Sequence, residues 1–87
     1  MARIIEDTRQ NLVGERVRKY RRLRRMSQQT LSAKLEVLAI YICRGSVSRI
    51  EKYTRTVTDI ELFGLAQVLG VAVTDLLPAV DGRDKDF

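Results

Sequence analysis

The chain has 87 residues, enough for one domain that buries roughly 60 to 65% of its unfolded surface and too few for a second core. Its apolar (45%) and charged (31%) shares fit a globular protein, and even the apolar run Val37 to Ile42 falls far short of the ~20 residues that span a bilayer. Cys43 is the one cysteine and there is no histidine. That excludes an internal disulfide, leaves a His/Cys metal site short of ligands, and makes a buried or half-buried thiol the ordinary expectation for Cys43. After Met1-Ala2-Arg3, the pair Ile4-Ile5 runs into Glu6 and Asp7, so no secretion signal is expected and the cytoplasm, close to the nucleoid, is the expected location.

The charge is unevenly distributed. Residues 1 to 56 carry 14 Lys/Arg and 5 Asp/Glu, whereas residues 57 to 87 carry 2 and 6, so that +9 and −4 make the net +5. Seven cations fall between Glu15 and Arg25, a density that concentrates a polyanion and releases its counterions on binding. On composition alone the partner is nucleic acid, an anionic membrane surface or an acidic protein, and a cationic helix face is often only a solvated one.

Taken in chain order, residues 1 to 11 read as a polar leader. Asn11 is placed to cap a first helix ending near Arg25, in which Val13, Val17 and Tyr20 make one apolar stripe and leave the arginines outside. Ser27 suits the cap of a second helix, with Leu31, Leu35 and Leu38 inward and Gln28 and Gln29 exposed in its first turn. A third helix fits residues 44 to about 54, with Val47, Ile50 and Tyr53 inward and Arg44, Ser48, Arg49 and Lys52 outward. Thr58-Asp59-Ile60-Glu61 has the form of a capping box opening a fourth helix, with Leu62, Leu65, Ala66 and Leu69 inward. Gly70 stops that helix, and Gly64 inside it, at a cost of about 1 kcal/mol relative to alanine, marks close packing or simple tolerance. Thr74 is placed to cap a last turn before Pro78, and residues 79 to 87 read as a mobile tail. The run 37 to 42 could form a strand but has no partner run elsewhere, so a five-helix, all-α domain is expected.

These segments, met in this order, resemble a known family. Asn11-Leu12-Val13-Gly14-Glu15-Arg16-Val17-Arg18, Met26-Ser27-Gln28-Gln29-Thr30-Leu31, Ser46-Val47-Ser48-Arg49-Ile50-Glu51 and Val57-Thr58-Asp59-Ile60-Glu61-Leu62, followed by Ala66-Gln67-Val68-Leu69-Gly70-Val71, are similar to the lambda-repressor-like, Xre-type helix-turn-helix domain. The resemblance covers residues 12 to 77 and implies a compact five-helix DNA-binding domain over 12 to 78. One motif helix crosses the DNA backbone while the next lies in the major groove with its first residues at base edges. Three features depart from the family pattern. Ser32 stands where alanine is usual and Glu36 where the turn glycine is usual, and Val47 follows Gln28 by 19 positions, five more than in the ordinary motif. Residues 36 to 42 are therefore expected to prolong the second helix and lengthen the turn, with Ile40 and Ile42 over the core.

Carried over position by position, the resemblance makes Gln28 a phosphate anchor and places Arg44, Gly45 and Ser46 at the start of the recognition helix. Arg49 follows one turn on, near enough in angle to address the same groove. Arginine suits guanine because its fork meets O6 and N7 together. Ser48, Lys52 and Arg55 are expected at phosphates, which position without reading sequence. Glu51 is expected to pair with Arg21 and to belong to the fold. The implied partner is double-stranded DNA, bound by a homodimer, because each chain has one reading helix and because Val71, Val73, Leu77 and Val80 exceed the apolar needs of one short turn. The implied role is that of a bacterial or phage transcriptional regulator of repressor type. The alternative is a protein-interaction module, an antitoxin or co-regulator on the same fold. An enzyme is not expected, for want of a histidine or cysteine–base pair, a glycine-rich phosphate loop or a deep pocket, and neither a cofactor nor a small-molecule substrate is implied. Membrane-surface binding would need a free apolar face, which the first helix must give to the core.

Overall fold

The computed structural model describes residues 8–78; residues 1 to 7 of the expected leader, the expected mobile tail 79 to 87 and with it Val80 lie outside the described residues. Five helices follow in order: α1 (Gly14–Leu23), α2 (Gln28–Val37), α3 (Arg44–Glu51), α4 (Asp59–Leu69) and α5 (Val73–Leu76). No strand occurs among the described residues.

The helix starts follow from side chains that satisfy orphan amides. Asn11 Oδ1 accepts from the amides of Val13 and Gly14 at 3.0 and 2.9 Å, so Asn11 caps α1 from two residues before the cap position, which Val13 holds. Ser27 Oγ accepts from Thr30 N at 3.0 Å and starts α2. The capping box of α4 is complete: Thr58 Oγ1 accepts from Glu61 N, and Glu61 Oε1 accepts from Thr58 N. The start of α5 differs from the expectation at Thr74. Ala72 holds the cap position, and its amide donates to Asp75 Oδ2 at 2.9 Å, so the carboxylate of the third helical residue sets this start.

One motif ends four helices. Met26, Ile40, Thr54 and Val71 donate their amides to the carbonyls of Arg21, Leu35, Arg49 and Ala66, and the residue before each of them closes the shorter bond inside, which is the Schellman arrangement. Its left-handed position is Gly70 in α4, but Arg25, Ala39 and Tyr53 in the other three, with φ of 57°, 62° and 65°. These three non-glycine stops explain why α1 ends two residues before Arg25 and α3 at Glu51. α2 is not prolonged either: it stops at Val37, and Leu38, expected inward, is 46% exposed at the cap.

Val17, Leu31, Leu35, Val47, Ile50, Leu65, Leu69 and Leu76 meet in one core to which all five helices contribute, and Ile42 joins it from the α2–α3 connection. Tyr20, Ile40 and Leu62 pack against it half-buried, as do Val71, Val73 and Leu77. Val71, Val73 and Leu77 therefore serve the domain's own core. Two glycines allow the close approaches. A Cβ on Gly14 would land on the Ile50 carbonyl oxygen, so α1 begins directly against the end of α3. A Cβ on Gly64 would overlap the tip of Ile40, so the α2–α3 connection lies directly against α4 there.

Candidate nucleic-acid interface

The orientation of α3 is set by a buried ionic cluster. Arg21 of α1 donates from Nε to Glu51 Oε2 at 2.6 Å and from Nη2 to Oε1 at 3.0 Å, with only 9% and 4% of the two side chains exposed. Gln28 Nε2 of α2 donates to Glu51 Oε1 at 3.1 Å, and Arg21 Nη1 donates to the Met26 carbonyl at 2.8 Å. One carboxylate on α3 thus holds α1 and α2 together. The amide of Gln28, expected at a phosphate, is tied to this cluster and only half-exposed.

The cations of α1 do not form one outward face. Arg21 is buried. Arg24 donates to the Leu69 carbonyl at 2.8 Å, and Arg16 donates to the Asp75 carbonyl at 3.1 Å. Three of the seven therefore bind the domain together, because each reaches a carboxylate or a helix-end carbonyl far away in sequence. Arg18 and Arg22, four residues apart and on one side of α1, instead line a cleft of about 130 Å³ with Gln28, Ser48, Glu51 and Lys52. Arg21 and Glu51, paired with each other, form part of its wall, so Arg18, Arg22 and Lys52 remain as three cations without that partner, beside the Ser48 hydroxyl, chemistry suited to a phosphate. Sequence reasoning treated the run as a whole and missed Arg18 and Arg22 as a pair, although their spacing of four was a usable signal.

The outward face of α3 carries Arg44, Gly45, Arg49 and Lys52, all exposed, with Ser48 half-exposed among them and Ser46 half-exposed at its flank. At about 100° per residue, Arg49 lies roughly 140° around the helix from Arg44, so the two flank the face and do not share one line. Arg49 Nη2 donates to Ser46 Oγ at 2.9 Å, and its Nη1 would lie 3.7 Å from a Cβ on Gly45. The guanidinium therefore folds back over the first turn of α3, the end that meets base edges in this kind of motif, and the lack of a side chain at Gly45 leaves it room. Arg55, expected at a phosphate, is engaged within the domain. Its two terminal nitrogens bond Glu61 Oε1 and Oε2, each at 3.0 Å, and Nη1 also donates to the Thr56 carbonyl. Glu61 raises the Arg55 pKa through this hydrogen bond, and Arg55 in turn holds the Glu61 carboxyl below the usual range against the opposing effect of burial. The cation is thereby shared with a carboxylate of α4.

Cys43 is exposed at the cap position of α3, contrary to the expectation of a buried or half-buried thiol. Its neighbour Ile42 occupies the inward site, and consecutive residues of an extended segment point to opposite sides. The thiol lies 3.5 Å from Ser46 Oγ. That hydroxyl, helped by the Ser46 and Gly45 amides and by the charge of Arg49, lowers the thiol pKa from its ordinary value.

A protein-family model described as helix-turn-helix matches residues 17–76, the span that contains α2, the α2–α3 connection, α3, α4, α5 and most of α1. No curated protein and no solved structure matches the chain. No helix among the described residues is long and apolar enough to cross a membrane.

Proposed function

The chain belongs to the helix-turn-helix family, in its lambda-repressor-like branch, and from that premise we propose that it binds double-stranded DNA sequence-specifically as a bacterial or phage transcriptional regulator of repressor type. The observation that carries this reading is the outward face of α3, where Arg44, Arg49 and Lys52 are exposed on a helix whose opposite face, Val47, Ile50 and Glu51, is locked into the domain. A short helix held in this way can enter a major groove as a rigid unit. Arg49 and Arg44 are the base-reading residues of the proposal, with Gly45 and Ser46 shaping the approach. Ser48 and Lys52, beside Arg18, Arg22 and Gln28, meet the backbone. Arg55, shared with Glu61, is the weakest of the proposed phosphate contacts.

One α3 reads only a few base pairs, so two copies related by a twofold axis would place their recognition helices about 34 Å apart on a pseudo-palindromic site. Selection from a randomised duplex library, combined with salt titration on the selected site, tests the proposal. A motif should emerge, with the logarithm of the binding constant falling by about 0.9 per neutralised phosphate for each unit of log salt. Arg49→Ala should flatten one position per half-site, whereas Lys52→Ala should weaken all sequences alike and reduce the slope by about one. A slope near zero with no selected motif refutes DNA binding, and one chain per duplex in sedimentation refutes the dimer.

A further inference from the structure

Between α2 and α3 the chain places six residues, Leu38 to Cys43, where helices in this motif are joined by about three or four. The connection is firmly anchored. The Ile40 amide donates to the Leu35 carbonyl, the Ile40 side chain packs over Gly64, and Ser32 Oγ donates to the Ile42 carbonyl at 2.7 Å, with the Ile42 side chain buried. Ser32, where the family usually has alanine, thus supplies one of the anchors. Tyr41, between the two inward isoleucines, is turned out to solvent and is 75% exposed. Its ring lines a cleft of about 310 Å³ with Glu36, Ile42, Cys43 and Ser46, at the first turn of α3.

The cleft's chemistry separates the two parts of DNA it could meet. Its lining among the described residues contains no cation, Arg49 reaching it only at the Ser46 hydroxyl, and the Glu36 carboxylate would repel a phosphate. The major-groove edge of a base pair is different: it offers a thymine methyl to an apolar ring and exocyclic amines to a carboxylate. Tyr41 lies three positions before Arg44, the residue that opens α3. We propose that Tyr41 is a specificity-determining residue that packs on a thymine methyl in the major groove, one step outside the base pairs read by α3, with Glu36 keeping the cleft off the sugar-phosphate backbone. This rests on the DNA-binding reading and widens the sequence each chain recognises.

Selection from a randomised duplex library with the full chain and with Tyr41→Ala, Tyr41→Phe and Arg49→Ala tests it. The wild-type motif should carry a thymine at its outer flank. Tyr41→Ala should lose that preference alone and bind the best site about tenfold more weakly, while Tyr41→Phe keeps both preference and affinity. Because the ring is exposed, the thermal melts of both variants should coincide with that of the wild type. If Tyr41→Ala leaves the motif unchanged, or weakens every sequence equally, the inference is overturned; a motif that Arg49→Ala still flattens then leaves DNA reading by α3 intact. Equal losses in Tyr41→Phe and Tyr41→Ala would assign the contact to the hydroxyl and overturn the methyl contact. A wild-type chain that selects no motif overturns both readings together.

Discussion

Replacing Glu51 by alanine should destabilise the domain by about 3 to 5 kcal/mol, because it leaves a buried guanidinium without its counter-charge. The magnitude follows from what the substitution strands. Arg21 loses two short hydrogen bonds and Gln28 loses one, while Arg21 keeps only its bond to the Met26 carbonyl. Water cannot easily compensate, since the Arg21 side chain is 9% exposed. Stabilities of about 0.05 to 0.15 kcal/mol per residue imply a total of roughly 4 to 13 kcal/mol for a chain of this length, so the loss removes a large part of it. At about 4 to 8 °C per kcal/mol, the melting temperature should fall by at least about 12 °C. The assay is urea and thermal denaturation of Glu51→Ala, Arg21→Met and the double variant. The double variant should be more stable than additivity allows, by about 2 kcal/mol or more, because removing both charges leaves neither stranded. Additivity within about 0.5 kcal/mol, or a single-variant cost below about 1 kcal/mol, would refute the argument and reduce the pair to a surface contact.

Acid should weaken the domain through Glu61. Its folded-state pKa lies below the ordinary value of 4.5, chiefly through the Arg55 hydrogen bond, so its contribution is fully present above that value and is lost as pH falls through the folded pKa. Glu61→Gln, which can still serve a capping box, should remove that part of the acid limb in a series of urea melts; an unchanged acid limb would contradict it. Cys43 should alkylate in the folded chain as readily as in the denatured one, and Ser46→Ala should slow the reaction at neutral pH by removing the hydroxyl that lowers the thiol pKa. A bulky adduct there should weaken DNA binding without shifting the melting temperature, and undiminished binding would place the start of α3 away from the groove.

The parts of this fold that were legible in sequence are those written in a few neighbouring residues. Ser27 with Thr30, Thr58 with Glu61 and Gly70 after Leu69 each fix a helix end by local chemistry, and the apolar periods of Val13–Val17 and Leu31–Leu35 need only one face to be buried. The ends of α1, α2 and α3 were harder to place because their left-handed residues are Arg25, Ala39 and Tyr53, which carry no glycine signal. The α1 cations looked equivalent because their differences come from partners 30 to 59 residues away, such as Glu51, Leu69 and Asp75. Cys43 was misplaced because its expectation rested on how a lone cysteine ordinarily sits, whereas which residues of the connection face inward depends on its anchors, Ile40 and Ile42. For the same reason Tyr41 and Glu36 carried no signal as neighbours of the recognition helix.

Asn11 has a reach beyond the start of α1. While its oxygen caps that helix, its Nδ2 donates to the carbonyls of Ile50 and Arg55 at 3.1 and 2.8 Å, and Gln10 N donates to the Tyr53 carbonyl at 2.9 Å. The first turn of one helix and the last turn of another are thus completed by the same amide, across 39 and 44 positions of sequence. Neither end is finished until the other arrives. Such mutual dependence makes assembly all-or-none: a peptide ending before α3 would lack the partner that orients its first cap, and amide exchange at Gly14 and at Thr54 should slow together, as members of one cooperative unit.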